Sequence, residues 1–192
     1  MKQCDLFLYS SICSDTNADD REYNIFMKKE LTTSGFKQLK GIEYFDFEED
    51  FVEKNMRCIP MTVRFKMDAT GIKLKLHEWS KFSSAERIAL ALKPAETNEE
   101  AALYNQYLSA LIKEYTGNEA SVIPVNEKPE WADTENIPAI LQQKAKEFNI
   151  NISIAQWQSF TNLQRFALSK LCRPGHENRN FPKAIVEFGL VR

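Results

Sequence analysis

At 192 residues, with 43% apolar and 27% charged side chains, the chain has the size and balance of one globular domain rather than of a disordered or fibrous protein. A net charge of −2 and a pI of about 5.8 give no global electrostatic reason to bind nucleic acid or an anionic membrane. Cys4, Cys13, Cys58 and Cys172 are scattered with no C-x-x-C pair, which excludes a disulfide framework, and no run approaches the ~20 apolar residues of a membrane span.

Residues 1–41 lack periodic packing signals: Ser14 to Arg21 is polar, and Thr32 to Gly35 is a turn cluster. They read as an extension. Met27-Lys28-Lys29 resembles a translation start, which would make residues 1–26 an upstream addition. Leu6 to Cys13 is too short and polar for a signal-peptide core, so export is not expected and the chain reads as cytoplasmic. From Ile42 the character changes. Ile42 to Phe47 alternates with period two, as a short strand or extended arm would, and Glu48 to Asn55 suits a short helix.

An internal repeat is the most informative feature. At an offset of 78 residues, Ile59, Pro60, Lys66, Ile72, Trp79, Phe82, Arg87, Ala89 and Leu90 fall on Ile137, Pro138, Lys144, Ile150, Trp157, Phe160, Arg165, Ala167 and Leu168. Those nine identities occur without a gap across copies 59–93 and 137–171, where chance would give about two. Each copy predicts a Pro-started helix (Pro60 to Ala69; Pro138 to Phe148) closed by Gly71 or Asn149, then a short linker. A short helix carrying the Trp and Phe follows, capped in the second copy by Ser153; Ser83 or Ser84, and Thr161, cap a third that holds the Arg. Between the copies, Thr97-Asn98-Glu99-Glu100 is a capping box opening a helix with an apolar stripe at Tyr104, Tyr107, Leu108, Leu111 and Tyr115, ended by Gly117. Residues 118–135 read as a loop, and Pro182 to Phe188 as a last helix stopped by Gly189. The expected fold class is mainly all-α: duplicated helix-turn-helix-helix units around one core, a single helical domain over 42–192 with a short extended N-terminal arm.

No catalytic constellation is legible. There is no glycine-rich phosphate loop, no G-x-S-x-G elbow and no H-E-x-x-H. Cys172 and His176 lie four apart but have no second ligand pair, so no metal site is expected. Trp79 and Trp157 read as core, and the repeated Arg87 and Arg165 as braces within each unit. Charge is uneven: an acidic run holds Glu43, Asp46, Glu48, Glu49, Asp50 and Glu53, and Lys54, Arg57, Arg64, Lys66, Lys73 and Lys75 follow, opposed by Asp68. Two solvated faces are the plain reading; a basic dock for an anionic ligand or acidic surface is the functional one, with Arg57, Cys58, Arg64, Lys66 and Lys73 as binding candidates.

Phe45-Asp46-Phe47-Glu48, Asp50-Phe51-Val52, Arg57-Cys58-Ile59-Pro60-Met61, Val63-Arg64-Phe65-Lys66, Gly71-Ile72-Lys73-Leu74, Arg165-Phe166-Ala167-Leu168 and Glu187-Phe188-Gly189-Leu190 resemble the nitrate reductase-associated protein family of cyanobacteria and other bacteria. The resemblance implies a non-catalytic accessory or maturation factor needed to form active assimilatory molybdenum nitrate reductase. It would act by binding the enzyme or its molybdopterin cofactor machinery, with no cofactor of its own. Two other classes stand beside it: a helical nucleic-acid-binding regulator, against which the acidic pI argues, and a small thiol-dependent enzyme using Cys58.

Overall fold

A computed structural model describes residues 41–48, 58–173 and 176–191, the side chains of 176 and 177 aside. Among these, eight α-helices dominate: α1 (Met61–Thr70), α2 (Leu76–Trp79), α3 (Ser84–Leu92), α4 (Asn98–Thr116), α5 (Ala139–Lys146), α6 (Ile154–Ser159), α7 (Asn162–Leu171) and α8 (Phe181–Glu187). Two-residue strands β1 (Ile72–Lys73) and β2 (Ser121–Val122) pair antiparallel, and 3-10 turns occupy Glu130–Ala132 and His176–Asn180. The fold is mainly all-α.

The helix starts follow local chemistry. Ser83, Thr97, Ser153 and Thr161 each accept a hydrogen bond from the backbone N–H three residues on, and Glu86, Glu100, Gln156 and Gln164 reach back to the capping residue's own N–H. Each capping box satisfies first-turn donors that no earlier turn can serve. Pro60 and Pro138 stand one residue outside α1 and α5, with polyproline-like backbone, rather than inside the first turn. A proline has no side-chain acceptor, so the first amides there need partners from elsewhere.

The elements stand at the same 78-residue offset that relates the sequences. Helices α1, α2 and α3 begin at 61, 76 and 84; α5, α6 and α7 begin at 139, 154 and 162. Gly71 and Asn149 both adopt positive φ, at +68° and +57°. Trp79 and Trp157 are each fully buried. In both places an Arg from the third helix lies over the Trp ring, its guanidinium carbon 5.8 or 5.9 Å from the ring centroid. Arg87 donates to the carbonyls of Trp79 (3.3 Å) and Ser80 (3.0 Å); Arg165 donates to those of Trp157 (3.4 Å) and Phe160 (2.6 Å). A cation at the C-terminal end of a short helix meets carbonyls at the negative end of the helix dipole, and those of Trp79 and Trp157 also accept the Phe82 and Phe160 N–H at 3.2 and 3.4 Å.

The offset fails at the strands. Residues 118–135 were expected as loop, yet Ser121–Val122 pairs with Ile72–Lys73, and the Ile123 N–H donates to the Gly71 carbonyl at 2.9 Å. Gly71 has a second reason to be glycine besides its φ: a Cβ there would meet Val125 Cγ2 at 2.9 Å and the Ile123 carbonyl at 3.0 Å. No strand forms at Ile150 in the second unit.

Ile42 to Phe47 is not a strand. Residues 42–45 carry no regular structure and 46–48 turn, but the alternation is real: Phe45 and Phe47 are buried while Asp46 is exposed. Their rings stack at 5.2 Å and meet the Phe188 ring edge-on at 5.0 and 6.0 Å. They join a core made largely of the second unit and α8, including Leu141, Trp157, Phe166 and Phe181. Helix α1 belongs to both halves. Its Phe65 ring packs on Trp131 (5.0 Å) and Phe166 (5.3 Å), and Asp68 pairs with Lys170 of α7 at 2.7 Å. The expected short helix from Glu48 to Asn55 falls, beyond Glu48, outside the described residues.

Trp157 donates its indole N–H to the Asp133 carbonyl at 2.7 Å and lies under Arg165. Trp157→Ala should therefore cost about 3–5 kcal/mol in a urea melt, the range for deleting a large buried aromatic. A loss below about 1 kcal/mol would show that this ring is not a packing centre.

Candidate functional site

Helix α1 opens with an amide that Pro60 cannot cap. The Met61 N–H is instead met by the Glu48 carboxylate, 2.6 Å from Oε1, across thirteen residues of chain. Glu48 Oε2 accepts weakly from the Phe45 N–H at 3.4 Å, and the Tyr44 hydroxyl donates to the Glu48 carbonyl at 2.7 Å. A second carboxylate completes the corner. Glu187, the last residue of α8, accepts from the Asp46 N–H (2.7 Å) and the Phe47 N–H (3.1 Å) with its two oxygens. Two acidic side chains thus hold one turn, at a cavity of about 20 Å³ lined by Phe47, Glu48, Cys58, Pro60, Arg64 and Asn180, among others. That volume holds about one water.

The electrostatics of the corner are contested. Burial raises the Glu48 carboxyl to about 7; the two N–H bonds and the Arg64 charge oppose that rise, and Glu187 adds to it. Arg64 donates its Nε–H to the Ile59 carbonyl at 2.7 Å, which turns its side chain back toward the start of α1.

The described candidates do not all point the same way. Cys58 and Arg64 come together at the cavity. Lys66 points elsewhere: its ammonium donates to the Ala91 carbonyl in the last turn of α3. Burial pushes that ammonium down to about 8, with the Glu96 charge opposing. Lys73 is exposed on β1. Arg57 lies outside the described residues. Arg87 and Arg165 are taken up by their carbonyls, and Trp79 and Trp157 by the core.

Sequence reasoning missed Glu48, Glu187 and Asn180. The first two lie inside strings that carry the family resemblance, but Glu48 was read as part of a solvated acidic run. The offset of 78 gives an internal control. Where the first copy has Arg64, the second has Gln142, which is exposed. What recurs is the Trp–Phe–Arg packing; what does not recur is the charged corner.

A second, open concavity of about 360 Å³ lies between α1 and α4, lined by Ala69, Thr70, Ala101, Ala102, Asn105 and Gln106, with no charged side chain. Cys172 is buried and its thiol is pushed up to about 12 by burial, opposite to the shift a zinc-binding or nucleophilic thiol needs. Among the described residues no three His, Cys, Asp or Glu side chains stand together as metal ligands, and no helix is long and apolar enough to cross a membrane.

Fold and site define a small helical protein in which, among the described residues, a cavity-forming charged corner sits where residues 44–48, α1 and α8 meet. Residues 44–188, about three quarters of the chain, match the family of conserved nitrate reductase-associated proteins, and the chain belongs to that family. No curated protein and no solved structure matches it.

The Lys66 ammonium supplies a sharp check. Its folded value near 8 lies below the ordinary 10.5, so between these pH values the unfolded chain holds more protons and stability rises with pH. Urea midpoints of wild type, measured against Lys66→Met at each pH, should therefore climb from pH 8 to 10.5. A difference that stays flat would mean that the amine is solvated.

Proposed function

We propose that this protein is a non-catalytic accessory factor that binds the nitrate reductase polypeptide and supports its conversion to the active molybdenum enzyme in the cytoplasm. Membership in a nitrate reductase-associated family supports the association. The observation that carries the choice of partner is the size and lining of the two cavities among the described residues. One holds about a single water, and the other offers no cation for a pyrophosphate. A molybdopterin-sized anionic ligand fits neither, so a protein surface is the better partner. Residues 42–192 act as one helical domain in this reading, and residues 1–41 as an extension.

We take the binding surface to be the charged corner, around Cys58 and Arg64, because Gln142 stands in the second copy where the first has Arg64. Lys73 contributes as an exposed cation at the far end of α1. Lys66 contributes indirectly, by fixing α1 on α3. A nucleophilic role for Cys58 is less well supported: the described lining residues include no histidine to act as its base.

Deleting the gene should abolish nitrate reductase activity while leaving the reductase polypeptide near its normal level. Complementation with Arg64→Gln, the residue type that position 142 carries in the second unit, should restore activity poorly at a normal level of the accessory protein. Gln142→Ala should complement fully. Unchanged activity in the deletion strain contradicts the function; full rescue by Arg64→Gln contradicts the site.

A further inference from the structure

Helix α4 carries a second surface, apart from the charged corner and independent of the reductase reading. With 19 residues it is the longest described helix, and it turns Tyr104, Leu108, Leu111 and Ile112 into the core. Along its outer side Glu99, Leu103, Gln106, Ala110 and Lys113 recur at alternating steps of four and three, and all five are exposed. That spacing keeps residues on one helix face and is the spacing by which two helices seat against each other. A lone exposed leucine would need no explanation. Leu103, 62% exposed, instead sits in a regular row whose charges stand only at its two ends.

The row is complementary to itself when reversed. Gln106 lies midway between Glu99 and Lys113, seven residues from each. A second copy of α4, turned end for end about Gln106, brings its Lys113 level with Glu99 and its Glu99 level with Lys113. Its Ala110 comes within one residue's rise, about 1.5 Å, of the level of Leu103, so a large side chain meets a small one at both places. The two Gln106 amides meet at the centre, where each can donate to and accept from the other. Every contact is thus made twice, as a two-fold interface requires. A parallel copy would set Glu99 on Glu99 and Lys113 on Lys113, like charge on like. Lys113 pairs with Glu119 at 2.7 Å, but both side chains are largely exposed, at 63% and 78%, and such a pair exchanges partners at little cost. Ala102, exposed beside the open concavity on one flank of the row, leaves room for a close approach.

We propose that this face of α4 is the interface of a homodimer in which two copies pack α4 antiparallel, centred on Gln106. One helix from each copy makes a small interface, below about 1,200 Å² in total, so the expected dissociation constant is about tens to hundreds of micromolar.

The test is sedimentation equilibrium of the full chain at low ionic strength, from about 5 to 500 µM, where wild type should show a monomer–dimer equilibrium. Leu103→Glu should weaken it by about tenfold or more. Glu99→Lys and Lys113→Glu should each weaken it several-fold, because either one sets like charges together at both ends. Both changes in one chain should restore wild-type association, and so should an equimolar mixture of the two single variants. The substitutions lie on the exposed face of a helix whose capping box, Thr97 and Glu100, is untouched, so the fold is retained. A chain that stays monomeric throughout leaves the row to a different protein and overturns the homodimer. So does a dimer indifferent to Leu103→Glu, or a loss from the single charge reversals that the double reversal does not repair.

Discussion

The rest of the structure depends on two buried guanidinium groups. Arg87 and Arg165 are each about 95% withdrawn from solvent, with exposures of 5% and 6%. A buried cation is tolerated only where hydrogen bonds replace its water. Here the replacement is a set of carbonyls at the C-terminal end of a very short helix, α2 or α6, where the Trp79 or Trp157 carbonyl accepts the guanidinium in addition to a backbone N–H. The ring of Trp79 or Trp157 closes the other face of the same guanidinium. A helix of four or six residues is not stable by itself, so the clamp explains why the chain turns sharply here and why Trp, Phe and Arg recur together.

Once that clamp fixes each three-helix unit, the remaining residues are free to differ. Lys66 and Lys144 occupy equivalent places yet do different things: one donates to a helix-end carbonyl, and the other pairs with Glu147 at 2.5 Å. Gly71 accepts the close passage of residues 123–125, whereas Asn149 serves only the left-handed turn. The charged corner is the largest divergence. It needs three separated strings of sequence, around 45–48, 58–64 and 180–188, and it replaces the capping that Pro60 lacks.

Sequence alone carried most of the scaffold. The capping box at Thr97, the caps at Ser83, Ser153 and Thr161, the αL positions at Gly71, Gly117 and Asn149, and the buried Trp pair are local or periodic signals, and each has a direct physical reading. What escaped was non-local. Nothing near Ser121 announces its pairing with Lys73, because a two-residue strand has no periodicity to detect. Glu48 looked like one member of an acidic run, since its role depends on a partner thirteen residues away and on a second carboxylate, Glu187, 140 residues beyond Phe47. Charge counting also could not show direction: helix geometry sends Arg64 toward Ile59 and Lys66 toward Ala91.

The account divides this protein into a twice-used Trp–Arg scaffold and a charged corner that only the first unit possesses, and it assigns partner recognition to the corner. Calorimetric titration of the purified chain into nitrate reductase polypeptide lacking its molybdenum cofactor tests that division most directly. The account predicts one saturable complex, weakened about tenfold or more by Arg64→Gln at an unchanged melting temperature, and unaffected by Gln142→Ala. The absence of a complex at tens of micromolar, or equal affinity for wild type and Arg64→Gln, would contradict it.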